Sequence, residues 1–257
     1  MEWYFIPLVI LAGFIAGFIY TLAGSGSLVT LPLLIFMGLP ATVANGTNRV
    51  GVLVQNIFSL ESFRRNDVLD WRGSWTLGLP AVVGSIIGAQ IAVDLNEELM
   101  RHVIGVVMVI MLVVILLQPN RWLEGTLDNI EKRPTLWQIL LFFTIGIYGG
   151  FIQAGVGIFL LSGLVLNVGY NLVRANAVKV GIIFLFTLAA LGVFIFSDQV
   201  NWLVGFVLAI GNMFGGWIAA KLAIRRGATW VRTLLLVVII VSAANLLGLF
   251  DLIKTLF

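Results

Sequence analysis

At 257 residues, the chain is 60% hydrophobic and 11% charged, with a mean hydropathy of +1.09. A soluble domain carries roughly 25% charged residues, so this composition reads as a polytopic protein of the lipid bilayer. A net charge of +3 with no basic tract gives no sign of nucleic-acid binding; the lack of cysteine excludes disulfides and thiolate chemistry, and the sole histidine, His102, excludes a histidine metal cluster.

Met1-Glu2-Trp3-Tyr4 lacks the basic n-region of a secretory signal, so the apolar stretch that follows, 4–38, is expected to be retained. Ala23-Gly24-Ser25-Gly26 interrupts it. The piece left behind, 28–38, is about 11 residues and would rise roughly 16 Å as a helix, half the hydrocarbon thickness. Full spans are predicted next near 41–62, 73–93 and 98–117. Pro119 to Pro134 is the longest polar stretch, with Arg121, Glu124, Asp128, Glu131, Lys132 and Arg133. A second broken segment, 136–168, is cut at Ala154-Gly155-Val156-Gly157, and three further spans are predicted near 172–196, 201–221 and 231–250. The predicted fold class is an all-α polytopic membrane protein.

The two breaks belong to a longer repeat. An offset of 131 carries Gly24 onto Gly155, Gly38 onto Gly169, and Ala44-Asn45 onto Ala175-Asn176. The same offset relates Asp67 to Asp198, Trp71 to Trp202, and Arg101 to Arg232. Gly84-x-x-x-Gly88 matches Gly211-x-x-x-Gly215 after a shift of four. The chain therefore divides into a first repeat, 1–118, a linker, 119–134, and a second repeat, 135–257.

Loop charge predicts how the halves are oriented, because Lys- and Arg-rich loops stay cytoplasmic. In the first half the loop after the first full span holds Arg64, Arg65 and Arg72, and the next, Asp94 to Leu99, has no basic residue. The second half reverses this: Ser197 to Asn201 has none, and the following loop holds Lys221, Arg225 and Arg226. Inverted repeats are expected, each a re-entrant broken hairpin plus three spans, with a cytoplasmic linker and outward-facing termini. Eight full spans in parallel repeats is the competing arrangement.

Irregular backbone at membrane depth is tolerated only where it is buried in protein or lines a cavity. Gly24, Gly26, Gly155 and Gly157 suit tight reversals, and the half-helices starting near Ser27 and Ile158 would direct unpaired N–H groups inward. Helix N-termini of this kind attract anions. Ser25, Ser27 and Gln153 add hydrogen-bonding capacity. After each hairpin a polar cluster opens the next span: Asn45, Thr47 and Asn48 as caps and donors, with Asn176 as a second-half counterpart. Arg49 and Lys179 lie about one turn further in, where a cation is costly and usually functional; snorkelling is the competing role for Lys179. The Gly-x-x-x-Gly patterns, Gly13-x-x-x-Gly17 included, read instead as close helix packing. Gln55, Asn56, Gln90 and Asn212 are polar within spans and line a path or bond between helices. No carboxylate lies deep in a span, so a carboxylate proton relay has no support.

The run Ala23-Gly24-Ser25-Gly26-Ser27 through Leu31-Pro32-Leu33-Leu34, followed by Gly38-Leu39-Pro40 and Ala44-Asn45-Gly46-Thr47-Asn48, resembles the sulfite exporter TauE/SafE family. Gly149-Gly150-Phe151 through Gly155-Val156-Gly157, then Arg174-Ala175-Asn176, is similar to that family's second repeat. The resemblance implies a multi-pass permease of the bacterial or archaeal inner membrane, or a plant or protist relative. Its expected cargo is sulfite or another small sulfur-containing anion such as sulfoacetate, thiosulfate or sulfate. The second copy has Ala177 and Val178 where the first has Gly46 and Thr47, which weights donors toward the first half.

The expected function is transport by alternating access around a midplane site, with no catalytic residue, metal or cofactor, and in the exporting direction. An anion channel, or a scaffold subunit that moves nothing, is the alternative. Missing His, Cys and buried carboxylate clusters argue against a membrane enzyme. Oligomeric state and driving force leave no trace in the residues.

Overall fold

A computed structural model describes residues 5–117 and 134–246; the linker predicted at 119–134 therefore falls almost wholly outside the described residues. Nine α-helices make up the described fold: α1 (Phe5–Ala23), α2 (Ser27–Phe36), α3 (Ala41–Arg65), α4 (Trp71–Asp94), α5 (Glu97–Leu117), α6 (Leu136–Phe151), α7 (Val156–Ser162), α8 (Leu172–Phe196) and α9 (Trp202–Leu246). A π-helical turn, Gly163–Val168, prolongs α7.

Local chemistry sets the boundaries. Asp70 Oδ1 accepts from Gly73 N at 2.9 Å to start α4, and Asn201 Oδ1 does the same for Val204 N at 3.1 Å to start α9. Thr135 and Gln138 form a reciprocal capping box on α6. Asn171 caps α8 through Arg174 N at 2.8 Å.

Two predicted features are corrected. α3 begins at Ala41 with Pro40 as its N-cap, so Asn45, Thr47 and Asn48 lie one to two turns inside the helix and cap nothing. Pro has its φ preset and no N–H to satisfy, which favours starting the helix there. The loop expected between 221 and 231 is also absent: α9 continues unbroken to Leu246. Leu222 to Trp230 contains no Pro and a single Gly among good helix formers, too little to stop it.

Conformation repeats as the residues do. Positive φ occurs at Gly24 and Gly155 (72° each), Gly38 and Gly169 (90° each), and Asp67 and Asp198 (55° and 54°). Packing repeats with it. Gly84 sits between Phe143 and Ile147, and Gly88 between Ile147 and Phe151, so α4 and α6 run parallel with backbones in contact. Gly211 sits between Ile10 and Phe14, and Gly215 between Phe14 and Phe18, giving α1 and α9 the same relation. Gly13 and Gly17 press on α9, Gly146 and Gly150 on α4. The small-residue patterns are packing seams, as the sequence suggested.

The centre of the fold is α3 against α8. They run antiparallel, with Gly46 beside Phe194 and Gly181 beside Leu60. Parallel to α3 is α9, through Thr47 with Asn201 and Gly216 with Gln55 and Ser59. Parallel to α8 is α4, through Ser74 with Gly181 and Ser85 with Phe186. Thus α1, α3 and α9 share one direction, and α4, α6 and α8 the other.

By length and composition, Trp71–Asp94, Leu172–Phe196 and Trp202–Arg226 are long and apolar enough to cross a membrane. Their outer faces present Leu79, Val83 and Ile87, or Leu203, Phe206 and Ile210, as exposed apolar surface. α3 is different: it buries Asn45, Thr47, Asn48, Arg49, Gln55, Asn56 and Ser59 completely. A helix that is polar and enclosed belongs at a site.

Candidate functional site

The two helix breaks touch. Gly157 N donates to Gly24 O at 3.2 Å, and a Cβ placed on either glycine would overlap the other's backbone. The left-handed φ at Gly24 and Gly155 is the conformation in which glycine replaces other residues at least cost. Gly26 is enclosed by Ala16 O and the Tyr20 Cβ, which fixes α2 against the end of α1.

Both deep cations reach the broken helix of the opposite half. Arg49 on α3 donates from Nη1 to Gly149 O at 3.1 Å and from Nη2 to Gly150 O at 2.5 Å, in the last turn of α6. Its guanidinium lies 4.7 Å from the Phe194 ring centroid. Lys179 on α8 donates from Nζ to Thr21 O at 2.8 Å and to Tyr20 O at 3.4 Å, in the last turn of α1. Helix C-termini carry partial negative charge and unpaired carbonyls, so a cation there satisfies both. Neither side chain snorkels: each is fully buried.

Hydrogen bonds bind the remaining polar residues around these ends. Asn48 joins α3 to α2, donating from Nδ2 to Ser27 Oγ at 3.0 Å and accepting from Thr30 Oγ1 at 2.6 Å. Asn45 Nδ2 donates to Phe151 O at 2.7 Å. Gln55 Nε2 donates to Thr21 Oγ1 at 3.1 Å, and Gln153 Nε2 to Thr187 Oγ1 at 2.6 Å. Tyr148 donates its hydroxyl to Ala154 O.

Several buried atoms in the same region have no protein partner: Tyr20 Oη, Asn45 Oδ1, Arg49 Nε, Gln153 Oε1, and both amide atoms of Asn56 and Asn176. Buried polar atoms are nearly always paired, so these unpaired ones are unused hydrogen-bonding capacity inside the fold. Donors and acceptors are both represented.

Residues 9–246 match the family model for the sulfite exporter TauE/SafE. The chain belongs to that family. Its relatives include the "Probable membrane transporter protein ORF9" of Sinorhizobium sp., 27% identical over 96% of this chain and 94% of the relative. A probable membrane transporter protein of Haemophilus influenzae is 26% identical over 91% of each chain. YfcA of Escherichia coli, also named a probable membrane transporter, is 26% identical over 91% of this chain and 86% of its own. No solved structure matches. This TauE/SafE protein is a membrane transporter and not an enzyme.

Within this TauE/SafE chain, the predicted residues separate by what they touch. Gly24, Gly26, Gly155, Gly157, Ser27, Asn45, Asn48, Arg49, Gln153 and Lys179 all bond or pack at the two breaks. Asn176 is fully buried, its amide unpaired. Ser25 is buried beside the first break with no side-chain hydrogen bond among the described residues. Thr47 instead accepts from Asn201 N at 2.9 Å and anchors the start of α9. Gln90 is exposed and bonds Asp94, so it lines no interior path. Asn212 packs against Gly13, Gly17 and Gly51 in the helix seam.

Tyr20, Thr21 and Thr187 were missed by sequence reasoning. Tyr20 and Thr21 stand within one turn of Gly24, the one available signal; Thr187 lies in an apolar run and had none. At one end of the bundle Tyr170 donates to Asp70 Oδ2 at 2.6 Å, tying the two halves. Burial, with the neighbouring carboxylate, raises the Tyr170 pKa and keeps its hydroxyl a donor.

Proposed function

We propose that this protein is a multi-pass inner-membrane transporter that exports sulfite or another small sulfur-containing anion by alternating access between two inverted repeats, 1–118 and 135–257. The observation that carries the proposal is the meeting of the two helix breaks at Gly24 and Gly157, with each half's buried cation held on the other half's broken helix. Duplicated broken helices at a repeat interface are how many secondary transporters build a binding site.

Helix direction supports the inversion. α1 and α3 run with α9, whereas their 131-residue counterparts α6 and α8 run with α4, antiparallel to α3. Equivalent helices thus point opposite ways, as a two-fold axis in the membrane plane requires. The short α2, ten residues long, and the pieces around α7 are then re-entrant.

The substrate class rests on the donors around the breaks. Arg49 and Lys179 bring positive charge, and Arg49 Nε and Tyr20 Oη are N–H and O–H groups with no protein partner, while no carboxylate is buried among the described residues. An anion of a few heavy atoms suits such a set. Unpaired Gln153 Oε1 and Asn45 Oδ1 add acceptors for an anion that still carries a proton, as sulfite does near neutrality.

A thermal-shift panel of purified protein with sulfite, thiosulfate, sulfate, sulfoacetate and carboxylates tests the class, because a ligand of the native state raises apparent stability. Proteoliposome flux then tests transport. Stabilisation by carboxylates alone overturns the sulfur assignment; unitary currents identify a channel; absent flux leaves a scaffold.

A further inference from the structure

One surface groove is unrelated to the helix breaks. It has a volume of about 370 Å³ and lies between the C-terminal part of α3 and the middle of α9, lined by Phe58, Ser62, Arg65, Phe214, Trp217 and Lys221. Because α3 and α9 are parallel, its lining changes in order along the bundle axis. Phe58 and Phe214 form the apolar end. Seven residues on from each, about 10 Å of helix rise, stand Arg65 and Lys221.

The polar end is poised for an anion. Lys221 makes no ion pair among the described residues; its Nζ sits 3.5 Å from the Trp217 ring centroid. Glu61, the acidic residue of the groove, is already shared between Arg64 at 2.9 Å and Arg65 at 2.6 Å. Ser62 Oγ is buried with no hydrogen-bond partner. The same end of the bundle carries exposed Arg72, Arg174, Arg225 and Arg226, so the local field is positive.

A guest that fits must be apolar at one end and anionic at the other, with the change over about two helical turns. We propose that this groove binds one anionic phospholipid of the surrounding leaflet, its acyl chain along Phe58, Phe214 and Trp217 and its headgroup phosphate at Lys221, Arg65 and Ser62. Tryptophan and lysine at the headgroup level are the side chains that suit this depth. Juxtamembrane cations attract anionic lipid by an amount equal to about fivefold in affinity per residue.

The test is a native mass-spectrometry titration of the full chain in detergent with dioleoyl phosphatidylglycerol, with dioleoyl phosphatidylcholine, and with glycerol phosphate alone. One tight phosphatidylglycerol is expected, with phosphatidylcholine weaker by tenfold or more and glycerol phosphate not retained. Lys221→Gln should weaken phosphatidylglycerol about fivefold and leave phosphatidylcholine unchanged; Lys221→Arg should restore it. Arg101→Gln, on α5 and outside the groove, should change neither. Equal binding of the two lipids, or full phosphatidylglycerol affinity in Lys221→Gln, overturns the proposal. Glycerol phosphate binding as tightly as the lipid also overturns it, because the groove would then be a small-anion site. A Lys221→Gln protein that loses both lipids equally removes the charge contact and sinks it too.

Discussion

Replacing Gly157 by alanine isolates the contact between the two breaks. φ at this position is not positive, so alanine meets no backbone strain of its own. Its methyl would instead be driven into Gly24 Cα and C, which are backbone atoms with no flexible end to yield. Overpacking of this kind costs about 1–3 kcal/mol. Separating the strands of chain to relieve it also weakens the Gly157 N to Gly24 O hydrogen bond, at about 1 kcal/mol. The sum is about 3 kcal/mol, or on the order of 6–12 °C in melting temperature for a chain of this size. Gly38→Ala is the comparison: φ is 90° there, but nothing lies within 4 Å of the added methyl. It should cost about 1 kcal/mol, on the order of 2–4 °C, from the left-handed conformation alone. The assay is thermal unfolding in detergent alongside anion flux in proteoliposomes. Gly157→Ala should lose flux and Gly38→Ala should keep it. Wild-type melting and flux in Gly157→Ala would show that the breaks do not meet in the working protein.

The remaining predictions concern topology and the polar ties. The chain has no cysteine, so Asn66→Cys and Ser197→Cys can be labelled singly with a membrane-impermeant maleimide in intact cells. They should react from opposite sides; labelling from one side rejects inverted repeats. Asn48→Leu removes partners from Ser27 and Thr30 at once and should lower stability by about 2 kcal/mol, with flux lost; a flux equal to wild type would place the site elsewhere. Tyr170→Phe should cost about 1–2 kcal/mol by leaving the Asp70 carboxylate short of a donor, yet retain flux, as melting and transport assays together would report.

Much of this architecture was legible because glycine and proline act locally. The breaks at Gly24 and Gly155, the positions of α2 and α7, and the packing role of Gly84-x-x-x-Gly88 follow from missing Cβ atoms and need no tertiary information. The site was legible as a set of residues rather than as bonds. Arg49 and Lys179 stand out in the sequence as cations in apolar runs, but their partners are backbone carbonyls of Gly149, Gly150, Tyr20 and Thr21, which every residue possesses. No side-chain pattern announces a carbonyl acceptor 100 to 159 residues away. The misplaced helix start has a similar origin. Asn45, Thr47 and Asn48 have the chemistry of caps, but Pro40 had already begun the helix, and enclosure by α2, α6 and α9 turned those side chains into interhelical ties.

The two cations play matching parts on the broken helices, although the 131 offset pairs Lys179 with Asn48 and not with Arg49, and the difference in what each holds orders their mutants. Arg49 spans two carbonyls in fork geometry, faces Phe194, and keeps Nε free for a guest. Lys179 has one firm bond, to Thr21 O, and one long one, to Tyr20 O. Replacing Lys179 by methionine keeps the length of the stem and removes the cost of burying a charge, against the loss of about one hydrogen bond, so stability should move by less than about 1 kcal/mol. Replacing Arg49 by methionine strands two buried carbonyls and should cost about 2–4 kcal/mol. Lysine at position 49 restores charge without the fork. If the anion meets the first half, Arg49→Lys should transport at least tenfold more slowly than wild type while folding normally, and Lys179→Met should retain a substantial rate. The reverse order, a silent Arg49→Lys and a dead but folded Lys179→Met, would assign the substrate contact to the second half and leave Arg49 as a cap on α6.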